Sequence, residues 1–273
     1  MRTAQTLLLC LAWLCTLHSI QAQTFRDIYI STHRGARFIP GVPENSLQAF
    51  QYAQAQLEAP FLIECDVNMS SDSVLFLMHD SSLDRTTTGT GLVKNQPWEA
   101  IRKLKLIDDF GDTTAYRPPT LSEVLDLAEE GAFFSLDIKR GVPIARVVDS
   151  IVARGLTERA AVITYNPEAA LAAFEASSEV WISVGIRNEA ELQTYLDGPF
   201  EPSRLMAFTG LTARKASFYR LLDQAGLAII VGTIGNLDQK AAAKGGKVYR
   251  KLKRKGAHIL ATDYPAAVQA ALR

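Results

Sequence analysis

The sequence predicts an α/β chain closed into a (β/α)8 barrel, with a short insertion after the second strand. Three observations carry that expectation. Eight short runs with strand character recur along the 273 residues,. Amphipathic helical patterns separate most of them, which favours a parallel sheet over an antiparallel one. The length suits a single barrel of about 250 residues.

The strand segments are DIYISTH (27–33), FLIECD (61–66), FFSLDIK (133–139), AAVITYN (160–166), VWISVGI (180–186), RLMAFTG (204–210), AIIVGTI (228–234) and AHILATD (257–263). After the first, ENSLQAFQYAQAQL sets Leu47, Phe50, Ala53 and Leu57 at helical spacing,. TLSEVLDLAEEG opens on a capping box, Thr120 to Glu123, and stops at Gly131,. Further helices are expected to begin near Pro143, Pro167, Asn188, Thr212 and Leu237. The sequence contains no internal repeat, low-complexity tract or interdomain linker. Its one long interruption is residues 67–119, which on this fold belongs at the barrel mouth,.

The N-terminus reads as an export signal. Arg2 precedes an apolar run, LLLCLAWLCTL, that is shorter than the roughly 20 residues a membrane span needs,. Cleavage is expected after Ala22. That makes 1–22 a signal peptide and 23–273 a single domain, exported to a periplasm or the medium. Lipid modification at Cys15 is disfavoured by the bulky Trp13 and Leu14 before it. Processing would remove Cys10 and Cys15 and leave Cys65 alone, so no intrachain disulfide is expected,. Composition is ordinary, with 48% hydrophobic and 21% charged residues,. A formal net charge of zero and a pI near 6.9 argue against a nucleic-acid partner,.

The segment IECDVNMSSDSVLFLMHD (63–80) concentrates chemistry. VLFLMHD follows the second strand too closely for a parallel crossover, so it returns antiparallel. A turn near Asp72 is expected to set Asp66 opposite His79. Alternation puts Glu64 and Asp66 on one face. Neighbouring carboxylates repel unless a cation joins them, and their oxygens suit Mg²⁺ or Ca²⁺. A structural ion pair with Arg or Lys is the plainer alternative. Three more strand ends or loops add charge nearby. THRG carries His33, Arg34 and Gly35, with a guanidinium able to fork onto phosphate oxygens,. PEN carries Glu44, and LDIK carries Asp137 and Lys139 on one face. Singly these are a rim histidine and a salt bridge; together they crowd the end of a barrel where such folds keep their chemistry.

The ordered set HRG, PENSLQAF, IECDV, LFLMHDSSLDRTTTGTG, PTLSEVL and LDIK resembles the glycerophosphodiester phosphodiesterase family across essentially the whole expected mature chain. The resemblance implies a TIM-type barrel that uses a divalent metal to hydrolyse glycerophosphodiesters to glycerol 3-phosphate and an alcohol. It implies His33 and His79 as the catalytic pair, and Arg34 and Lys139 as phosphate contacts. Glu64, Asp66 and Asp137 are then the metal ligands, with Glu44 behind them. Asp137 departs from the usual Glu. VGTIGN (231–236) and TYN (164–166) depart at the mouth, where the leaving group would lie. Cleavage of lysophospholipids or phosphoinositides on the same barrel, or simple binding of a phosphate ligand, are the alternatives. The paired histidines count against the binder, which needs no proton-transfer groups.

The remaining features have structural readings. RTTTGTG (85–91) lacks the placement of a phosphate-binding P-loop and reads as a mouth loop,. KVYRKLKRK (247–255) reads as a solvated helix face, with contact to an anionic membrane surface as the alternative,. Trp98 and Trp181 are expected to pack. His258 falls at the wrong end of its strand for catalysis, and Asp263 is expected to support the mouth.

Overall fold

Eight strands close on themselves in parallel, each pushed beside the next by the helix that follows it. In the computed structural model, which describes residues 24–130 and 132–273, these are β1 (Ile30–Thr32), β2 (Leu62–Met69), β4 (Phe133–Ile138), β5 (Ala160–Ile163), β6 (Trp181–Gly185), β7 (Leu205–Phe208), β8 (Ala228–Gly232) and β9 (Ile259–Thr262). They pair in that order, and β9 returns to β1 to close the barrel. β3 (Leu75–Leu77) hangs antiparallel on β2. The (β/α)8 barrel is therefore present, with the expected extra strand. The leader at 1–22 and the helix stop at Gly131 lie outside the described residues.

The helices are α1 (Leu47–Gln56), α2 (Trp98–Ile101), α3 (Leu121–Asp126), α4 (Ile144–Val152), α5 (Pro167–Ala176), α6 (Glu189–Leu196), α7 (Ala216–Gln224), α8 (Asn236–Ala243), α9 (Lys247–Lys255) and α10 (Pro265–Leu272). Side chains that accept backbone amides start several of them: Ser46 for α1, Asn166 for α5 and Asn188 for α6,. The Thr120–Glu123 capping box opens α3 as read from the sequence. The basic run forms α9, buries Tyr249 and Leu252, and ends at Gly256, whose φ of 110° only glycine adopts without strain,. Among the described residues, no helix is long and apolar enough to cross a membrane.

Strand alternation splits the core into two. Outward-facing Ile63, Cys65, Phe134 and Leu136 pack under the helices. Inward-facing Leu62, Phe133, Ala161 and Trp181 fill the barrel with Phe25. Phe25 comes from a 3-10 turn, Phe25–Asp27, and its ring sits 4.8 Å from Trp181 and 5.4 Å edge-on to Phe133. These partners lie at the amino ends of their strands, so Phe25 plugs the barrel's lower end. The 3-10 turn, capped reciprocally by Thr24 and Asp27, also replaces the start of the expected first strand, which begins at Ile30 instead of 27. Trp98 packs at 5.4 Å on Phe76 in a small apolar cluster of the insertion's own residues.

Two local expectations need correction. α7 begins at Ala216, not near Thr212, because the Arg214 amide donates to the Tyr219 hydroxyl and Arg214 Nε donates to the Thr209 carbonyl, both at 3.0 Å. Those bonds hold the preceding loop against the rim. The hairpin register is also displaced by one. The turn does centre on Asp72, with Ser73 at φ 68° and the Ser70 amide donating to the Val74 carbonyl at 3.0 Å. That pairs Val67 with Leu77, so Met78 donates its amide to the Asp66 carbonyl at 3.0 Å, and His79 follows one residue later.

Candidate functional site

The carboxyl ends of β1, β2 and β4 bring the expected charged residues together. Their placement starts with a constrained turn. Arg34 and Gly35 have φ of 53° and 84°, and Asn45 has φ of 55°. A Cβ on Gly35 would lie 2.4 Å from Phe50 Cδ1, so only glycine lets β1 turn this closely over α1,. The turn is held by two bonds to one residue: the Gly35 amide donates to the Glu64 carbonyl at 3.0 Å, and the Arg34 amide donates to Glu64 Oε2 at 2.8 Å.

Glu64, Asp66 and Asp137 converge, each offering an oxygen within 4.8 Å of the others. Adjacent parallel strands put them there, since Asp66 and Asp137 are register partners. Lys139 Nζ reaches Asp66 Oδ1 at 2.5 Å and Asp137 Oδ2 at 2.6 Å. Asp66 also accepts from Asn45 Nδ2 at 2.6 Å, and its amide donates to Asn45 Oδ1 at 2.9 Å. Burial raises the Asp66 carboxyl, but Lys139 and Arg34 outweigh it and hold it below the usual range. Lys139 is raised in turn: burial lowers it, and Asp66 and Asp137 more than compensate. Glu64 goes the other way. Burial, then the charges of Asp66 and Asp137, hold it well above the ordinary carboxylate range. Three neighbouring carboxyls share one ammonium, and Glu64 is the one that holds its proton most tightly; a cation beside it would favour its ionised form,. An all-oxygen donor set of this kind fits a hard divalent cation,.

Both histidines are braced at Nδ1. His33 Nδ1 lies 2.6 Å from Asp263 Oδ1, and His79 Nδ1 lies 2.7 Å from Asp80 Oδ1. A carboxylate accepting from Nδ1–H leaves Nε2 as the nitrogen available for reaction. The two differ in shelter, with side-chain exposures of 19% for His33 and 37% for His79. Asp80 is itself gripped by Arg85, at 2.7 Å from Nε and 2.9 Å from Nη2. The Arg85 bond is the main influence that keeps Asp80 far below the usual carboxylate range, against the opposing effect of burial.

Glu44 is buried behind this group. It accepts from Arg34 Nη1 at 2.9 and 3.1 Å and from Arg85 Nη2 at 2.8 Å, and Arg37 Nε lies 3.3 Å away. Arg34 is thereby tied to Glu44, with its Nε 3.4 Å from Asp66. The mouth opens into a cavity of about 330 Å³ that holds His33, Glu64 and Asp137 on one side and Val184, Phe208 and Ile234 on the other. His258 lies just before β9, where its Nδ1 accepts from the Ile229 amide at 3.2 Å, away from this cavity.

The sequence reading missed several partners. Tyr165 OH donates to both oxygens of Asp137 at 2.8 Å. Arg85, assigned only to a mouth loop, links Glu44 to Asp80. Asp80 follows His79 directly, so an HD pair was the available signal. The Asp263–His33 pairing joins the first and last strands and had no local signal.

The comparisons with known proteins agree with this geometry. The model of the glycerophosphoryl diester phosphodiesterase family matches residues 33–250. The chain belongs to this family. Among family relatives, a glycerophosphodiester phosphodiesterase of Caldanaerobacter subterraneus subsp. tengcongensis is 35% identical over 144 residues, 50% of this chain and 58% of that one. A glycerophosphodiester phosphodiesterase of Bacillus subtilis is 36% identical over 116 residues, 39% of this chain and 38% of that one. The matched segments thus span little more than half, or less, of those relatives. A crystal structure of a glycerophosphoryl diester phosphodiesterase from Parabacteroides distasonis superposes with a TM-score of 0.79 at 28% identity, covering 92% of this chain and 88% of that one. The TIM barrel is thus the family's fold in sequence and in space.

Proposed function

We propose that this chain is a metal-dependent phosphodiesterase that hydrolyses glycerophosphodiesters to glycerol 3-phosphate and an alcohol. The observation that carries the reading is the bracing of two imidazoles: His33 by Asp263 at the cavity that holds the acidic cluster, and His79 by Asp80, which Arg85 and Glu44 link to Arg34. Two histidines oriented through Nδ1 suit a reaction with two proton transfers. One removes a proton from the attacking hydroxyl, and the other protonates the leaving alkoxide. Glu64, Asp66 and Asp137 would hold the cation, with Tyr165 and Asn45 fixing two of their carboxylates,. When bound, a divalent cation supplies Lewis-acid stabilisation of the charge that builds on the phosphoryl oxygens. Arg34 and Lys139 bind the phosphodiester, and the Glu44 bond keeps the Arg34 guanidinium from swinging away.

The test is a substrate panel run with metals. Glycerophosphocholine, glycerophosphoethanolamine, glycerophosphoinositol and a lysophospholipid are assayed side by side after EDTA treatment and after addition of Mg²⁺ or Ca²⁺. Release of glycerol 3-phosphate that EDTA abolishes and a metal restores is expected. No turnover of any glycerophosphodiester with either metal would overturn the reading, and turnover of the lysophospholipid alone would move it to the phospholipase alternative. Export is the second part of the proposal, supported by the apolar run behind Arg2,. Protein recovered from periplasm or medium should begin at Gln23; an intact cytoplasmic chain would contradict it.

A further inference from the structure

Asp238 has no part in the proposed reaction, yet it is a buried carboxylate at the start of α8. It is surrounded by donors from other elements. The Tyr249 hydroxyl, from α9, donates to Oδ1 at 2.9 Å. The Thr262 hydroxyl lies 3.0 Å from both oxygens, and the Asp263 amide donates to Oδ2 at 3.1 Å. The amide of Asp238 itself donates to the Thr233 carbonyl at 2.8 Å, which fixes its own backbone to the end of β8. Burial, then the Asp238 charge, push the Tyr249 phenol upward, so Tyr249 stays a donor.

The two residues that Asp238 grips are the two that grip His33. The His33 amide donates to the Thr262 carbonyl at 3.1 Å, and His33 Nδ1 pairs with Asp263 Oδ1 at 2.6 Å. Backbone and ring of the histidine are thus both referred to one peptide segment, and that segment is anchored from behind by one carboxylate.

We propose that Asp238 is a positioning residue: by clamping Thr262 and Asp263 it sets the aim and tautomer of His33. The inference rests on the reading of His33 as a proton-transfer group. Its physical basis is the acceptor count. A carboxylate accepts at every site it presents, whereas an amide at 238 sets its NH₂ either against the Asp263 amide, donor facing donor, or against the Tyr249 and Thr262 hydroxyls, which must then turn to accept,. In either orientation the clamp on the 262–263 peptide loses part of its hold, and the Asp263 carboxylate shifts with that peptide. Displacements of about 1 Å in a catalytic group cost up to roughly 10²-fold in rate.

The experiment is a double-mutant cycle. Asp238→Asn should lower kcat roughly 10- to 100-fold with KM nearly unchanged. In an Asp263→Asn background the same change should have little further effect, because the group it acts through is already gone; independent losses would multiply. The downfield Nδ1 proton of His33 in the NMR spectrum should move or vanish in Asp238→Asn while the remaining spectrum stays folded. Should Asp238→Asn not fold, Tyr249→Phe removes a single donor and is judged by the same cycle, with a smaller loss expected. Wild-type kcat in the folded variant, or losses that multiply in full with Asp263→Asn, overturns the inference. His33→Ala, assayed alongside, separates the two failures: normal turnover there removes the catalytic reading itself.

Discussion

The two arcs of the barrel mouth face each other across one cavity and are built on opposite rules. The arc from β1, β2 and β4 is crowded with charge, and its groups are held by partners from other elements: His33 by Asp263, Asp66 by Asn45 and Lys139, Asp137 by Tyr165. The arc from β6, β7 and β8 presents Val184, Gly185, Phe208 and Ile230, with Ile234 just beyond. Its cation, Arg187, is exposed and pairs with Glu191 in the first turn of α6, the helix that follows it. A group pinned from several directions holds the geometry that proton transfer and phosphate binding require. Apolar walls exert no such directional demand and accept shape. On the proposed function, the reaction falls to the charged arc and the choice of alcohol to the apolar arc.

Substitutions at the imidazoles should break that division most severely. His33→Ala and His79→Ala are each expected to lower kcat by about 10²–10⁴. Steady-state kinetics on the best substrate of the panel measures this, and near-normal turnover in either variant would remove that histidine from the mechanism. Next in size is metal affinity. Glu64→Gln takes away one of the three carboxyls of the cluster, the one that a bound cation would have to hold ionised. Calorimetric titration with Mg²⁺ or Ca²⁺ should show a loss of at least the roughly 10–100-fold that an outer partner of a metal site is worth. Unchanged affinity would place the cation elsewhere.

How legible each arc was in the sequence follows the same contrast. The charged arc was readable because its residues sit in short motifs at strand ends or in the loop before α1: HRG, PEN, ECD and LDIK each supply two or more polar groups within a few positions. The barrel itself was readable from the alternation of strand and helix. The partners were not, since Asp263 reaches His33 across 230 positions and Arg85 reaches Glu44 across 41. Only chain closure brings those pairs together. The register of the hairpin also escaped, because the central residue of a turn decides pairing by a single step and the pattern on β3 tolerates either. On the apolar arc, Phe208 and Ile234 read as ordinary strand-end hydrophobics, and nothing local separates a pocket wall from core.

Changes on that second arc should be milder and of a different kind. Phe208→Ala enlarges the cavity opposite the acidic cluster and leaves the charged groups in place. KM is expected to change by up to about tenfold, to different extents for choline, ethanolamine and inositol esters, with kcat held within a small factor. A uniform fall in kcat across the panel would mean that Phe208 supports the reacting groups, and the separation of the arcs would fail at that point.

The smallest effect sharpens the comparison through stability. Asp109 is buried against Arg37, which reaches it from both Nε and Nη2, and it also accepts the Phe38 amide at 2.8 Å. Burial raises its carboxyl, but the Arg37 and Phe38 bonds outweigh it and hold the folded-state pKa below the usual value. A depressed carboxylate adds stability above its unfolded pKa, near 3.9, and loses that contribution as pH falls through the folded value. Wild type should therefore exceed Asp109→Asn in urea resistance at pH 6, with the gap narrowing as pH drops below about 4. Phe208→Ala offers no titrating group, so its gap to wild type should stay constant over the same range. A pH-independent gap for Asp109→Asn would show that the Arg37 pair contributes through packing alone, and the charged arc would lose its acid-sensitive character at this position.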